Sequence, residues 1–314
     1  MTKDITKMIV LPVDGSHNAL HSLDYLKLLY ESDPRITATL LYILPALPPI
    51  LVEESRKNRQ TAAQLKKIEK KNIELAERIL HEAKAKLINK GFSDKSIQTT
   101  FRNKELGIAR DICTITHAKK ADTVLITSRG RSRLEALFMG EVSNKMLELC
   151  RACPIWMVKG SVKAKNILIA LDPSENALRA VDHAGFMLSA TTAKIHLFHS
   201  KRKLNRFIPK EIFEGSSVLE ELWQHAAEEE ITPYVEKAHK TLTTAGVNAS
   251  LISARIAEGS RRPARDIIHE AKRHECGTIV LGRRGVSNVD EFTMGSIARK
   301  VIEDCNDTAV WIVP

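Results

Sequence analysis

The chain has 314 residues, 43% of them apolar and spread throughout, enough for two globular domains that each bury a core. No apolar segment approaches the ~20 residues a bilayer-spanning helix needs, and the N-terminus leads straight into a strand-like run without a signal-peptide pattern, so the expected location is the cytoplasm. The net charge of +10 is uneven: residues 1–160 hold 27 Lys/Arg against 18 Asp/Glu, giving +9, and residues 161–314 hold 21 against 20, giving +1.

In chain order, apolar runs and their punctuation predict a strand at 7–13, a helix at 17–30 and a strand at 37–43. A loop with Pro45, Pro48 and Pro49 leads to a long helix ending before Gly91. The charge excess sits there, between Arg56 and Lys90, where lysines interleave with Glu74, Glu77 and Glu82. That is the pattern of a solvated helix face, and without an aromatic platform or recognition helix beside it nucleic-acid binding is not expected. A strand at 96–101, a helix at 105–118, the strand Thr123-Val124-Leu125-Ile126, a helix after Gly140 and the strand Ile155-Trp156-Met157-Val158 complete the half. The second half predicts strands at 166–171, 194–199, 248–253, 278–281 and 309–313, with helices at 175–189, around 217–245, at 263–274 and at 296–304. Pro233 is expected to break or restart the helix that contains it. Five cysteines (113, 150, 153, 276, 305) form no paired metal motif and read as reduced core thiols.

The two halves repeat. Gly130, Gly140, Cys150, Trp156 and Val158 recur 155 positions later as Gly285, Gly295, Cys305, Trp311 and Val313, and Ile9–Ser16 recurs 158 positions later as Ile167–Ser174. Residues 1–160 and 161–314 are therefore expected to be two domains. Strands apolar on both sides and alternating with helices imply an α/β fold, doubly wound, with the ligand crevice at the carboxyl ends of strands one and four.

At that point of the second half stands Gly282-x2-Gly285-x9-Gly295-Ser296, a strand, a glycine turn and a helix start. Bare backbone lets N–H groups approach an anion, the helix end adds about half a positive charge, and Arg283 and Arg284 lie nearby. Ser296 suits either a helix cap or a hydroxyl contact to a phosphate oxygen. The pattern lacks the Gly-Lys-Ser/Thr ending of a Walker A loop and the spacing of the dinucleotide fingerprint. It resembles the nucleotide motif of the universal stress protein family, and the likeness extends over both halves. The resemblance implies two tandem five-stranded parallel sheets, paired through their last strands as an intramolecular pseudo-dimer, with Trp156, Val158, Trp311 and Val313 at or near the join. It also implies ATP as ligand, with Mg²⁺ carried by the phosphates.

Residue by residue, the resemblance assigns Asp172 to the base or ribose side of the nucleotide, Ser200 (with His199) to the adenine pocket, and Leu281, Gly282, Arg284, Gly285, Gly295, Ser296 and Ile297 to the turn, phosphate cradle and helix start. Asp172 has helix capping in Asp-Pro-Ser-Glu as its alternative, and His199 equally suits a hydrogen-bonded core or rim position. Arg283 is expected to face solvent. In the first half Thr127 replaces the first glycine and Glu141 the serine, which predicts weak or absent nucleotide binding there. Two like charges about 4 Å apart repel by about 1 kcal/mol in water and several times that when partly buried. Arg129-Gly130-Arg131-Ser132-Arg133 could still attract another anion.

No hydrolase elbow or metalloprotease motif is present, and His196 and His199, three apart on a strand, point to opposite faces, so neither a catalytic site nor a metal site is expected. The leading expectation is a cytoplasmic stress-response protein that binds ATP in its second domain and regulates a protein partner, with further homodimerisation left open. The alternatives are a nucleotide-independent scaffold for a protein, lipid or other anion, through its helical faces or the loops near Pro45–Pro49 and Lys201–Lys203, and a slow ATPase or phosphotransferase.

Overall fold

The inner predicted strands are rich in β-branched and apolar residues on both sides and are buried, the strands at 97–103 and 252–257 are partly exposed, and most of the pairing is parallel with helices packed over it. The computed structural model describes residues 5–16, 19–31, 33–128, 141–189, 191–208, 217–258, 262–286 and 294–314. They fall into two compact units, one of residues 1–127 and 140–153, the other of residues 128–139 and 154–314.

The first unit contains β1 (Lys7–Pro12), α1 (Ala19–Tyr30), β2 (Ile36–Leu44), α2 (Pro49–Lys57), α3 (Arg59–Asn89), β3 (Ile97–Asn103), α4 (Ile108–Ala118), β4 (Thr123–Ser128) and α5 (Glu141–Leu149). Its strands lie in the order β3-β2-β1-β4, all parallel. The long predicted helix is two helices, because Asn58 leaves helical geometry and its side chain accepts hydrogen bonds from the N–H groups of Gln60 and Thr61, starting α3 afresh. The cysteines depart from expectation: α4 and the end of α5 lie side by side, so Cys113 and Cys150, with Cα atoms 5.4 Å apart, form a disulfide. Cys153, Cys276 and Cys305 are buried and lie outside this disulfide.

The second unit contains β5 (Ile155–Lys159), β6 (Asn166–Ala170), α6 (Glu175–Leu188), β7 (Ile195–Ser200), α7 (Ser217–Thr244), β8 (Ile252–Ala257), α8 (Pro263–Arg273), β9 (Cys276–Gly282), α9 (Ser296–Asp304) and β10 (Thr308–Val313). Its strand order is β5-β10-β9-β6-β7-β8. The five strands of the second repeat are parallel, whereas β5, the last strand of the first repeat, joins β10 antiparallel. The register sets Trp156 opposite Trp311; the two fully buried indoles stack at 3.7 Å. Trp156 donates its indole N–H to Nε2 of His183 at 3.1 Å, and burial pushes the His183 pKa down to about 3.

Pro233 does not break α7, contrary to the sequence reading. Ile231 before it and Ala238 and Leu242 after it are all buried, and Thr232 donates its hydroxyl to the Glu228 carbonyl. The ring itself is exposed, and burial of the helix before and after it offsets the roughly 3 kcal/mol an interior proline costs.

Candidate functional site

The crevice forms where strand order reverses. β6 is flanked by β7 and β9, so the segments after β6 and β9 leave the sheet side by side at its carboxyl edge. Asp172 follows β6. One carboxylate oxygen, Oδ2, accepts from the Val286 N–H at 3.2 Å, and Oδ1 accepts the Ser174 hydroxyl. The open question of capping is answered by Ser174, which is the N-cap of α6 and accepts from the Ala177 N–H at 3.2 Å. Asp172 instead braces the glycine turn.

That turn is closed by backbone hydrogen bonds. Arg283 donates its N–H to Val313 at 2.6 Å, and its carbonyl accepts from Gly295 at 2.9 Å. Two glycines are required by close approach. A Cβ on Gly282 would lie 2.9 Å from the carbonyl carbon and oxygen of Asn176, in the first turn of α6, and a Cβ on Gly285 would lie 2.2 Å from Oδ2 of Asp172. Gly295 is the N-cap of α9 and supplies no side chain to cap it, and Ser296 is the first helical residue, exposed, rather than the cap. The first amides of α9, at Ser296, Ile297 and Ala298, thus face the crevice without an acceptor among the described residues.

Asp172, Leu281, Gly282, Arg284, Gly285, Gly295, Ser296 and Ile297 all line this one crevice. Ser200 does not: its hydroxyl is donated to Asp266 Oδ2 at 2.7 Å. His199 is a core contact, its Nδ1–H donated to the Leu171 carbonyl at 2.7 Å, and burial lowers its pKa. Arg283 is only 3% exposed, so the expectation that it faces solvent is wrong; its backbone closes the turn and its side chain is covered. Arg202 joins the lining although no local motif marks it. It stands in the loop after β7, held there by the Trp223 indole N–H, which donates to its carbonyl at 2.5 Å. The charged residues lining the crevice are thus Arg202, Arg283 and Arg284 against Asp172, a set that suits an anion at the helix end and a hydroxyl or amine donor at the carboxylate.

In the first repeat Asp14 is exposed and accepts from the Ser16 N–H at 2.9 Å. Glu141, at the start of α5, is exposed and paired with Lys145 one turn along the helix, which holds its carboxyl below the usual range. Gly130, Gly140 and the Arg129–Arg133 run lie outside the described residues. Among the described residues no helix is long and apolar enough to cross a membrane.

The model of the universal stress protein family matches the chain twice, over residues 6–159 and 163–314. Universal stress protein YxiE of Bacillus subtilis is 25% identical over 138 residues, 43% of this chain and 89% of that protein. A universal stress protein structure from Archaeoglobus fulgidus superposes with a TM-score of 0.63 at 18% identity, covering 99% of this chain and 97% of that one. A second, from a candidate universal stress protein of Pseudomonas aeruginosa UCBPP-PA14, gives 0.58 at 15% identity over 99% and 94%. The chain belongs to the universal stress protein family, with two copies of the family domain in tandem.

Proposed function

We propose that the second repeat binds an adenine nucleotide, ATP with Mg²⁺ carried on its phosphates, and that the protein acts as a cytoplasmic regulator whose nucleotide occupancy is read by a protein partner. The observation that carries this reading is the uncapped N-terminus of α9 opening into the same crevice as Arg202, Arg284 and the Asp172-braced glycine turn. Polyphosphate would lie on the helix amides, which already point at it and lose no reorganisation energy on binding. Asp172, across the turn, would accept from the nucleoside, since a carboxylate repels phosphate but suits a hydroxyl or exocyclic amine.

The test is isothermal titration of ATP into wild-type protein and Ser296→Glu, which copies Glu141. Ser296 is exposed and a carboxylate in the first turn favours a helix, so the variant should fold normally. Like charges about 4 Å apart repel by about 1 kcal/mol in water and about 4 kcal/mol near a protein surface, so affinity should fall between about fivefold and several hundredfold. Equal affinities would remove phosphate from the α9 terminus. No binding of any nucleotide by wild-type protein would favour the scaffold instead, and steady phosphate release that a crevice mutation abolishes would favour the ATPase.

A further inference from the structure

Away from the crevice, β7, β8 and α8 bring together three side chains that the sequence keeps 74 and 4 positions apart. His196, the second residue of β7, places Nε2 3.0 Å from Oε1 of Glu270, and His274 places its Nε2 3.2 Å from the same oxygen. The three candidate ligand atoms all lie within 4.8 Å of one another. Ligands at about 2.0–2.1 Å from a tetrahedral zinc ion are about 3.3 Å apart, so this set is already close to the required spacing.

The surroundings are those of a metal's outer shell. Ser253, cross-strand from His196 on β8, sits 2.9 Å from its Nδ1, and Arg255 holds the second carboxylate oxygen of Glu270 at 2.6 Å, leaving Oε1 to face the imidazoles. His274 is the C-cap of α8, its N–H bonded to the Glu270 carbonyl and its own carbonyl accepting from Asn166 Nδ2. His196 and Glu270 are buried, whereas the His274 side chain is 38% exposed and gives an ion a way in. The first repeat has no counterpart: the matching positions on β2 and at the end of α4 are Thr39, Ile115 and Lys119.

We infer that His196, Glu270 and His274 form a binding site for a borderline-soft divalent transition-metal ion, best matched by Zn²⁺, separate from the nucleotide crevice. Two imidazoles and a carboxylate favour Zn²⁺ over the oxygen-seeking Mg²⁺ and Ca²⁺. On binding, the ion replaces the two Nε2–H contacts. Each neutral imidazole passes to its Nδ1–H tautomer, which for His196 turns Ser253 into the acceptor. The imidazoles now lie face to face at 3.9 Å, so the exposed His274 ring must swing to aim its Nε2 at the ion, with solvent water completing the coordination.

The experiment uses the full chain, stripped with chelator and titrated with Zn²⁺ against a chromophoric competitor, with Co²⁺ as an optical probe. Wild type should bind one equivalent that Mg²⁺ does not displace, and Co²⁺ should give the intense visible bands of a four-coordinate site without a thiolate charge-transfer band. His274→Ala, at a half-exposed helix end, and the near-isosteric Glu270→Gln should each weaken binding by at least about tenfold, the lower end of what even an outer-shell change costs. Thermal melts of the apo proteins confirm that the variants fold. Failure of wild type to bind, or affinities unchanged in His274→Ala, would reduce the cluster to a hydrogen-bonded ion pair. ATP titration is read separately, so either proposal can fail alone.

Discussion

Replacing Gly282 by alanine separates the two roles a glycine can have in a phosphate turn. If the residue is glycine only to let a ligand approach, the apo protein should tolerate a methyl group. The geometry says otherwise: the added Cβ would stand 2.9 Å from the carbonyl carbon and oxygen of Asn176 and 3.1 Å from the Ala177 nitrogen, all backbone atoms of the first turn of α6. Backbone cannot rotate aside as a side chain can, so α6 and β9 must move apart, and α6 packs closely along β9. Overpacking of this kind costs typically about 1–3 kcal/mol. For a unit of this size each kcal/mol lowers Tm by about 2–4 °C, so a central value of about 2 kcal/mol gives a fall of about 4–8 °C. All three tryptophans, Trp156, Trp223 and Trp311, lie in the second unit, so urea unfolding followed by tryptophan fluorescence reports on the unit that carries the mutation. A Gly282→Ala protein with the wild-type midpoint and slope, and a selective loss of ATP binding, would refute the packing argument.

Other outcomes are equally open to measurement. His183 is held neutral with a pKa near 3 against an ordinary value of 6.5, so the unfolded chain takes up the proton first. The stability it contributes is present above pH 6.5 and is lost as pH falls toward 3, amounting to about 1.5–2 kcal/mol between pH 6.5 and pH 5. Denaturation of His183→Gln should show a correspondingly shallower acid dependence; an identical one would contradict the assignment. Native protein denatured without reductant should show three reactive thiols of five, and reduction should destabilise the first unit by about 3–4 kcal/mol for a closed loop of 37 residues, followed by circular dichroism. Five thiols before reduction would rule out the Cys113–Cys150 bond. Trp311→Ala removes one half of a fully buried indole stack and should cost about 3–5 kcal/mol in the same fluorescence assay; a loss under about 1 kcal/mol would show the stack to be dispensable.

The sequence by itself determined the duplication, the α/β class and the motif around Gly282, because each is written in short-range pattern: strands apolar on both sides, glycines where chain meets helix, and a constant offset between halves. Eight of the nine residues assigned to the nucleotide site through family resemblance line one crevice, since the motif and the Asp172 turn sit at the ends of strands that such a fold makes neighbours. What depended on distance along the chain was decided only by packing. Ser200 lay next to the right strand end but gave its hydroxyl to Asp266, 66 residues away, while Arg202 entered the crevice with no motif to mark it. The proline in α7 obeyed its buried neighbours rather than its own preference, and Cys113 met Cys150 because two helices lie side by side. Glu270 and His274 stand one helical turn apart, but nothing along the chain links them to His196. A strand and a helix 74 residues apart place them around one point, and crossover topology rather than local propensity fixes that meeting.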